Sequence, residues 1–293
     1  MKEILKKIRN YEIKIRKVVN THGIGEFASM FKGTGLEFDD VRLYQYGDDI
    51  RTIDWNVTAK GHGTYVKTFK EERDQQVLFV VDVSASQNIG IPSRQKIDIL
   101  KELTGVLTLS ATRLGSQVGL IAFSNQKEKY IKPHKGERHA YQLITELYKL
   151  QTEDITTDLN ACFRYTLGIC KRKSIVIVIS DFIDDNYDDS LKALAQKHDV
   201  IAIHVHDERE SNLPKLGIIP IFDKESKKTR WVNSSFLGFR KRNKKHFQEN
   251  TELLKAVCKK YQIDYVSINT QEDYITQLIH LFKKRNKTWK RNA

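Results

Sequence analysis

The sequence predicts an α/β fold: a doubly wound, mostly parallel sheet, with a small N-terminal β-rich subdomain before it and an inserted β-hairpin near its end. Three observations predict it. Val77–Val81 and Ile175–Ile179 are unbroken apolar runs of strand length, as strands covered on both faces require. Amphipathic stretches of helical period alternate with further strand-length runs from residue 76 onward. Before that point, Gly23, Gly25, Gly33, Gly35, Gly47, Gly61 and Gly63 punctuate short segments, a pattern of turns and short strands.

Taken in order, residues 1–22 predict a basic amphipathic helix. Ile4, Ile8, Tyr11, Ile15 and Val18 recur at spacings of three and four, and the opposite face is rich in lysine and arginine. Residues 23–75 form the small β-rich subdomain, in which Tyr65–Phe69 alternates as a strand does. Within it, Gly47–Trp55 reads as a turn with Asp48 or Asp49 capping, Arg51 paired with Asp54, and Ile53 and Trp55 supplying core. Residues 76–285 form the main domain. After the first buried strand come a helix at Ser93–Arg113, a strand at Gln117–Phe123 with Lys127–Ile131 beside it, and helices at Arg138–Leu150 and Leu159–Cys170. Beyond the strand at Ser174–Ser180 the pattern gives a helix at Ser190–Lys197 and a strand at Val200–His206. A hairpin insertion follows at about 212–233, then a long helix, a strand at Asp264–Ile268 and a closing helix at Tyr274–Phe282. Residues 286–293 read as a basic tail.

Composition narrows the function classes. No apolar stretch approaches the ~18–20 residues that a membrane span needs, and no apolar signal core follows the lysine-rich start. Three cysteines, Cys162, Cys170 and Cys258, fall in helical segments without a CxxC spacing, as reduced core thiols of a cytoplasmic protein do. The net charge of +13 raises nucleic acid and anionic membrane as partners. The basic residues are scattered and no nucleic-acid motif or aromatic stacking series accompanies them, so no specific nucleic acid is expected. The basic N-terminal helix leaves open a peripheral contact with the inner face of the membrane.

The polar residues that carry chemistry sit where an open α/β sheet binds ligands, beyond the carboxyl ends of its strands. The first buried strand runs into Asp82-Val83-Ser84-Ala85-Ser86, the second into Ser180-Asp181, and Thr156-Thr157-Asp158 opens a helix between them. Alternation past a strand end can turn Asp82, Ser84 and Ser86 toward one point, with Thr157 and Asp181 arriving from neighbouring loops. Two carboxylates and three hydroxyls suit a hard divalent cation, Mg²⁺ first, with Mn²⁺ or Ca²⁺ as alternatives. So few charged ligands leave the ion electrophilic, with a position for an outside oxygen.

This Asp82-x-Ser84-x-Ser86, Thr157, Asp181 set resembles the metal-ion-dependent adhesion site of von Willebrand factor A domains. The upstream stretch narrows the resemblance. Phe31–Phe38, Arg42-Leu43-Tyr44, Gly47–Trp55, Val66–Phe69 and Glu71-Glu72-Arg73 are similar in order to the signature of the domain of unknown function 58 family. His206-Asp207-Glu208, Leu213-Pro214, Gly217, Asp223 and Glu225 continue it. The resemblance implies a bacterial accessory partner of a MoxR-type AAA+ ATPase, acting in complex assembly or stress response. It would be a metal-dependent protein-binding module, not an enzyme, gripping an acidic side chain of the ATPase or its client. Many relatives carry membrane spans before the signature, which this sequence lacks. Gln87 and Lys60 stand where methionine and arginine are common, neither at a ligand position.

Catalytic readings find little in the sequence. No GxSxG elbow holds a serine, and no lysine-bearing phosphate loop is present. The alternative that stays open is a metal-assisted hydrolase of phosphatase or nuclease type, built on Asp181 with Asp184, Asp185, Asp188 and Asp189; its bland counterpart is a solvated loop capping a helix. His204 and His206 share a strand face without a metal-spaced partner and are expected to be structural.

Overall fold

The structure, a computed structural model, describes residues 36–61, 63–71, 75–92, 94–150, 156–212, 214–223 and 228–292. The basic helix expected at 1–22 lies outside them.

The described chain begins with an antiparallel ribbon, β1 (Leu36–Leu43) paired with β2 (Tyr65–Glu71). Their connection holds a one-turn helix, α1 (Trp55–Thr58). Strand β3 (Gln76–Asp82) starts the main sheet, and a two-residue hairpin, β4 (Gly90–Ile91) with β5 (Arg94–Gln95), leads into α2 (Lys96–Arg113). Then come β6 (Gln117–Phe123), β7 (Lys127–His134), α3 (Glu137–Lys149), α4 (Leu159–Ile169) and β8 (Ile175–Ser180). The last third holds α5 (Asp188–Lys197), β9 (Asp199–His206), α6 (Glu208–Ser211), a separate ribbon of β10 (Ile218–Asp223) and β11 (Lys228–Asn233), α7 (Leu237–Lys260), β12 (Asp264–Asn269) and α8 (Tyr274–Asn292).

Six strands make the main sheet in the order β12-β9-β8-β3-β6-β7, parallel throughout except for β7. The two-residue period of β3 builds both cores at once. Val77, Phe79 and Val81 face α2, α3 and α8, while Leu78 and Val80 face α4, α5 and α7. All five are completely buried, each worth ~1.5–3 kcal/mol of removed apolar surface. The winding leaves β3 toward β6 and later returns to its other side with β8. The order therefore reverses between β3 and β8, the kind of switch point beyond whose carboxyl ends open α/β sheets bind ligands.

Four expectations need correction. The helix expected from Ser93 begins at Lys96, because Arg94 and Gln95 pair back onto Ile91 and Gly90, and Gln95 forms a capping box with Asp98. Gly90 makes that turn possible: its φ is +142°, and a Cβ there would lie 2.6 Å from the Cα of Gln95. The closing helix does not stop at Phe282 but runs to Asn292 through the segment read as a tail, since no glycine or proline interrupts it. Trp55 is 69% exposed and supplies no core; it opens the short helix that Asp54 caps, and Val66 takes the buried place in the ribbon. The pairing differs too: Arg51 joins Asp49, and Asp54 joins Lys67.

Candidate metal centre

Asp82 ends β3 fully buried, and the chain then turns through a 3₁₀ segment, Ala85–Asn88, whose N-cap is Ser84. The turn is held from the carboxylate: Asp82 Oδ1 accepts the Ser84 amide at 3.0 Å. Its other oxygen accepts from Ser180 Oγ at 2.8 Å and from Gln87 Nε2 at 3.0 Å, which ties β3 to the end of β8.

Asp181, one residue beyond β8, is held in the same manner. Its Oδ1 accepts the Ile183 amide at 3.1 Å, and the Phe182 amide donates to Ser180 Oγ at 3.0 Å. Phe182 has φ +53°, a left-handed conformation that a bulky residue adopts only when its surroundings impose it. Its ring is buried, set against Tyr187 and His204. Thr157 stands just before Asp158, whose carboxylate caps α4 by accepting the Ala161 amide at 2.7 Å and whose own amide donates to the carbonyl of Ser124.

These placements bring four of the five residues singled out in the sequence into one side-chain hydrogen-bonded chain, and the fifth, Asp82, joins it through the Ser84 amide. Thr157 Oγ1 donates to Ser84 Oγ at 2.9 Å, Ser84 Oγ lies 3.0 Å from Ser86 Oγ, and Ser86 Oγ donates to Asp181 Oδ2 at 3.0 Å. The spacing suits a small cation. Octahedral oxygens about 2.1 Å from an ion lie about 3.0 Å from their cis neighbours, close to the separations that the hydrogen bonds already set. An ion would require the hydroxyl protons to turn away more than it would require the oxygens to move. Gln87 adds a second observation: its Nε2 donates to Asp82 and Ser86, but its fully buried Oε1 has no partner. A buried acceptor left unmet costs about 1–3 kcal/mol, which a donor brought in with a hydrated ion would relieve.

The electrostatics are lopsided. Burial first, and the neighbouring Asp181 charge second, push the Asp82 carboxyl up to about 6. Burial would push Asp181 up as well, but the ammonium of Lys96, 2.8 Å from Oδ2, outweighs it and holds Asp181 below the usual carboxylate range. Lys96 also contacts Glu210 of α6. Both carboxylates together keep the buried ammonium above the ordinary lysine value, while burial raises Glu210 despite its partner.

Lys96, Glu210, Ser180 and Gln87 were not among the expected site residues. For Lys96 a signal existed: 96, 100, 103 and 107 follow the helical period of the apolar stripe, so the lysine stands in register with buried leucines. The acidic run after Asp181 has other employment. Asp184 Oδ2 accepts the Leu159 amide at 2.7 Å, and Asp188 and Asp189 lie in the first turn of α5, where the helix dipole favours them. Among the described residues no group of three or more His, Cys, Asp and Glu side chains gathers as metal ligands. His204 is buried among Phe182, Phe247 and Tyr265, with Nδ1 2.9 Å from the Tyr265 hydroxyl, and burial lowers it to about 3. The three cysteines are buried and unpaired with one another. Among the described residues no helix is long and apolar enough to cross a membrane.

Comparison with known proteins places this arrangement in a family setting. A family model described as "Protein of unknown function DUF58" matches residues 40–253. The uncharacterized protein Rv1480 of Mycobacterium tuberculosis is 27% identical over 222 residues, covering 75% of this chain and 70% of its own length. Among solved structures, an aerotolerance-related membrane protein from Bacteroides fragilis covers 73% of this chain and 99% of its own, with a TM-score of 0.50 at 12% identity. The SpRpn10 VWA domain covers 72% of this chain and 94% of its own, with a TM-score of 0.40 at 10% identity. The likeness to the Bacteroides fragilis structure is one of fold, a mostly parallel six-stranded sheet flanked by helices.

Proposed function

We propose, from the premise that this chain belongs to the DUF58 family, that it is a metal-ion-dependent protein-binding module rather than an enzyme. Asp82, Ser84, Ser86, Thr157 and Asp181 would hold one divalent cation, Mg²⁺ or Mn²⁺ before Ca²⁺. When bound, the cation supplies a Lewis-acidic point that accepts a carboxylate oxygen from a partner. The observation that carries the reading is the single hydrogen-bonded chain running from Thr157 through Ser84 and Ser86 to Asp181 at cis-octahedral spacing. The side chains around it hold and orient: Ser180 and Gln87 fix Asp82, and the Ile183 amide fixes Asp181. None of them is placed as a general base.

The family resemblance points to a MoxR-type AAA+ ATPase, or a client of one, as the partner, in complex assembly or stress response at the cytoplasmic side. The hydrolase alternative is the weaker reading, because Asp184, its first acidic residue after Asp181, is already engaged at Oδ2 by the Leu159 amide. Calorimetric titration of the metal-stripped protein with Mn²⁺ is expected to give saturable uptake at one site, abolished in Asp82→Ala. Capture of the cognate ATPase is expected to need the metal and to fail in Ser84→Ala and Thr157→Ala at unchanged circular dichroism. Uptake that survives Asp82→Ala would sink the site.

A further inference from the structure

The candidate centre contains a cation of its own. Lys96 is completely buried, and its ammonium donates to Asp181 Oδ2 at 2.8 Å and also contacts Glu210. Neither end of this bridge is loose. The Lys96 amide donates to the Ile89 carbonyl at 2.9 Å, fixing the start of α2, and Glu210 Oε2 accepts the Asp207 amide at 2.9 Å in the capping box of α6. Asp207, itself fully buried, accepts from Thr270 Oγ1 at the end of β12.

We propose that Lys96 is a fixed internal counter-cation that weakens the hold of the site on a divalent metal ion, with Glu210 tempering it. This rests on the metal-binding reading above. Asp181 Oδ2 already accepts two donors, Ser86 Oγ and Lys96 Nζ, and a carboxylate oxygen has two lone pairs. An ion using that oxygen must displace one donor, and a rigidly buried ammonium yields less readily than a hydroxyl that can rotate. The charge balance points the same way. Asp82, Asp181 and Glu210 against Lys96 leave two net negative charges when all are ionised, which one divalent ion neutralises. Without the ammonium there would be three, in an interior that screens charge poorly.

Two substitutions therefore act in opposite directions. Lys96→Met removes the competitor and should tighten Mn²⁺ binding at least tenfold. Glu210→Gln keeps a carbonyl oxygen for the Asp207 amide but leaves the ammonium wholly to Asp181, and should weaken binding about tenfold. A merely structural bridge would loosen the site in both variants. The experiment is calorimetric titration of Mn²⁺ into the full chain of the wild type and both variants, with Mn²⁺-dependent thermal shifts as a second readout. Binding that tightens in Lys96→Met while it weakens in Glu210→Gln, or uptake that appears in Lys96→Met alone, supports the proposal. Wild-type uptake with Lys96→Met no tighter, or with Glu210→Gln unchanged or tighter, overturns it while leaving the metal centre standing. Should Lys96→Met fail to fold, Lys96→Gln, which also removes the charge, takes its place and is read in the same way. No uptake in any of the three sinks the metal centre and this proposal together.

Discussion

Two regions of the molecule concentrate charge, and they do so in opposite surroundings. At the edge of the main sheet, Asp82, Asp181 and Lys96 are buried, and Glu210 nearly so, each with partners fixed by neighbouring elements. In the N-terminal ribbon, Arg42 joins Asp48, Arg51 joins Asp49 and Lys67 joins Asp54, all within reach of solvent. One of the ribbon pairs has the better local geometry: Arg42 makes two bonds to the Asp48 carboxylate, at 2.7 and 2.8 Å. Water nevertheless screens them, and an exposed pair adds little to stability. The buried pairs have been stripped of water, and the cost of that is offset only while every partner stays in place. Geometry alone does not rank ion pairs; the medium does.

The contrast can be broken or sharpened by measurement. The largest effect is expected for Lys96→Met in the metal-free protein, which leaves two buried carboxylates without their ammonium. Urea unfolding should show a loss of about 3–5 kcal/mol, and a loss near zero would mean that the interior is wetter than the burial of Lys96 implies. Next comes the pH dependence of Asp82. Its folded-state value is raised to about 6 from an ordinary 3.8, so its contribution to stability is greatest below pH 4 and is lost as pH rises through 6. Relative to the wild type, Asp82→Asn should therefore gain about 3 kcal/mol between pH 4 and pH 7 in the metal-free state. A flat difference across that range would place Asp82 in a more polar setting. The smallest effect is expected for Arg42→Ala, which should leave the urea midpoint where it was; a clear drop would show that the ribbon pairs are more than surface contacts.

Much of the sheet was legible in the sequence because parallel strands covered on both faces must be apolar throughout. Val77–Val81 and Ile175–Ile179 could hardly be anything else, and polar residues at their ends were bound to gather at one edge. The five candidate ligands were chosen by the same reasoning: Asp82 ends a strand and Asp181 follows one, Ser84 and Ser86 lie in the turn beyond β3, and Thr157 precedes the cap of α4. Lys96 was harder to see. A lysine at the start of a helix ordinarily extends into water, and only its register with Leu100, Leu103 and Leu107 betrays that it turns inward. Glu210 offered no such periodic sign, since its placement depends on the capping box of a one-turn helix. Trp55 misled in the other direction, because a large aromatic side chain counts as core only where a second layer covers it, and here it is 69% exposed.

Strand β7 carries a consequence for how the molecule meets others. It closes the sheet with the sequence Lys127-Glu128-Lys129-Tyr130-Ile131-Lys132-Pro133-His134, running against its neighbour. Pro133 offers no amide hydrogen, and it nests against Gly119, where a methyl group would come within 2.7 Å of its ring. Three lysines along this border repel a foreign strand of like charge and make docking alongside costly for any other. Growth of the sheet into a neighbouring molecule is thus discouraged on that flank.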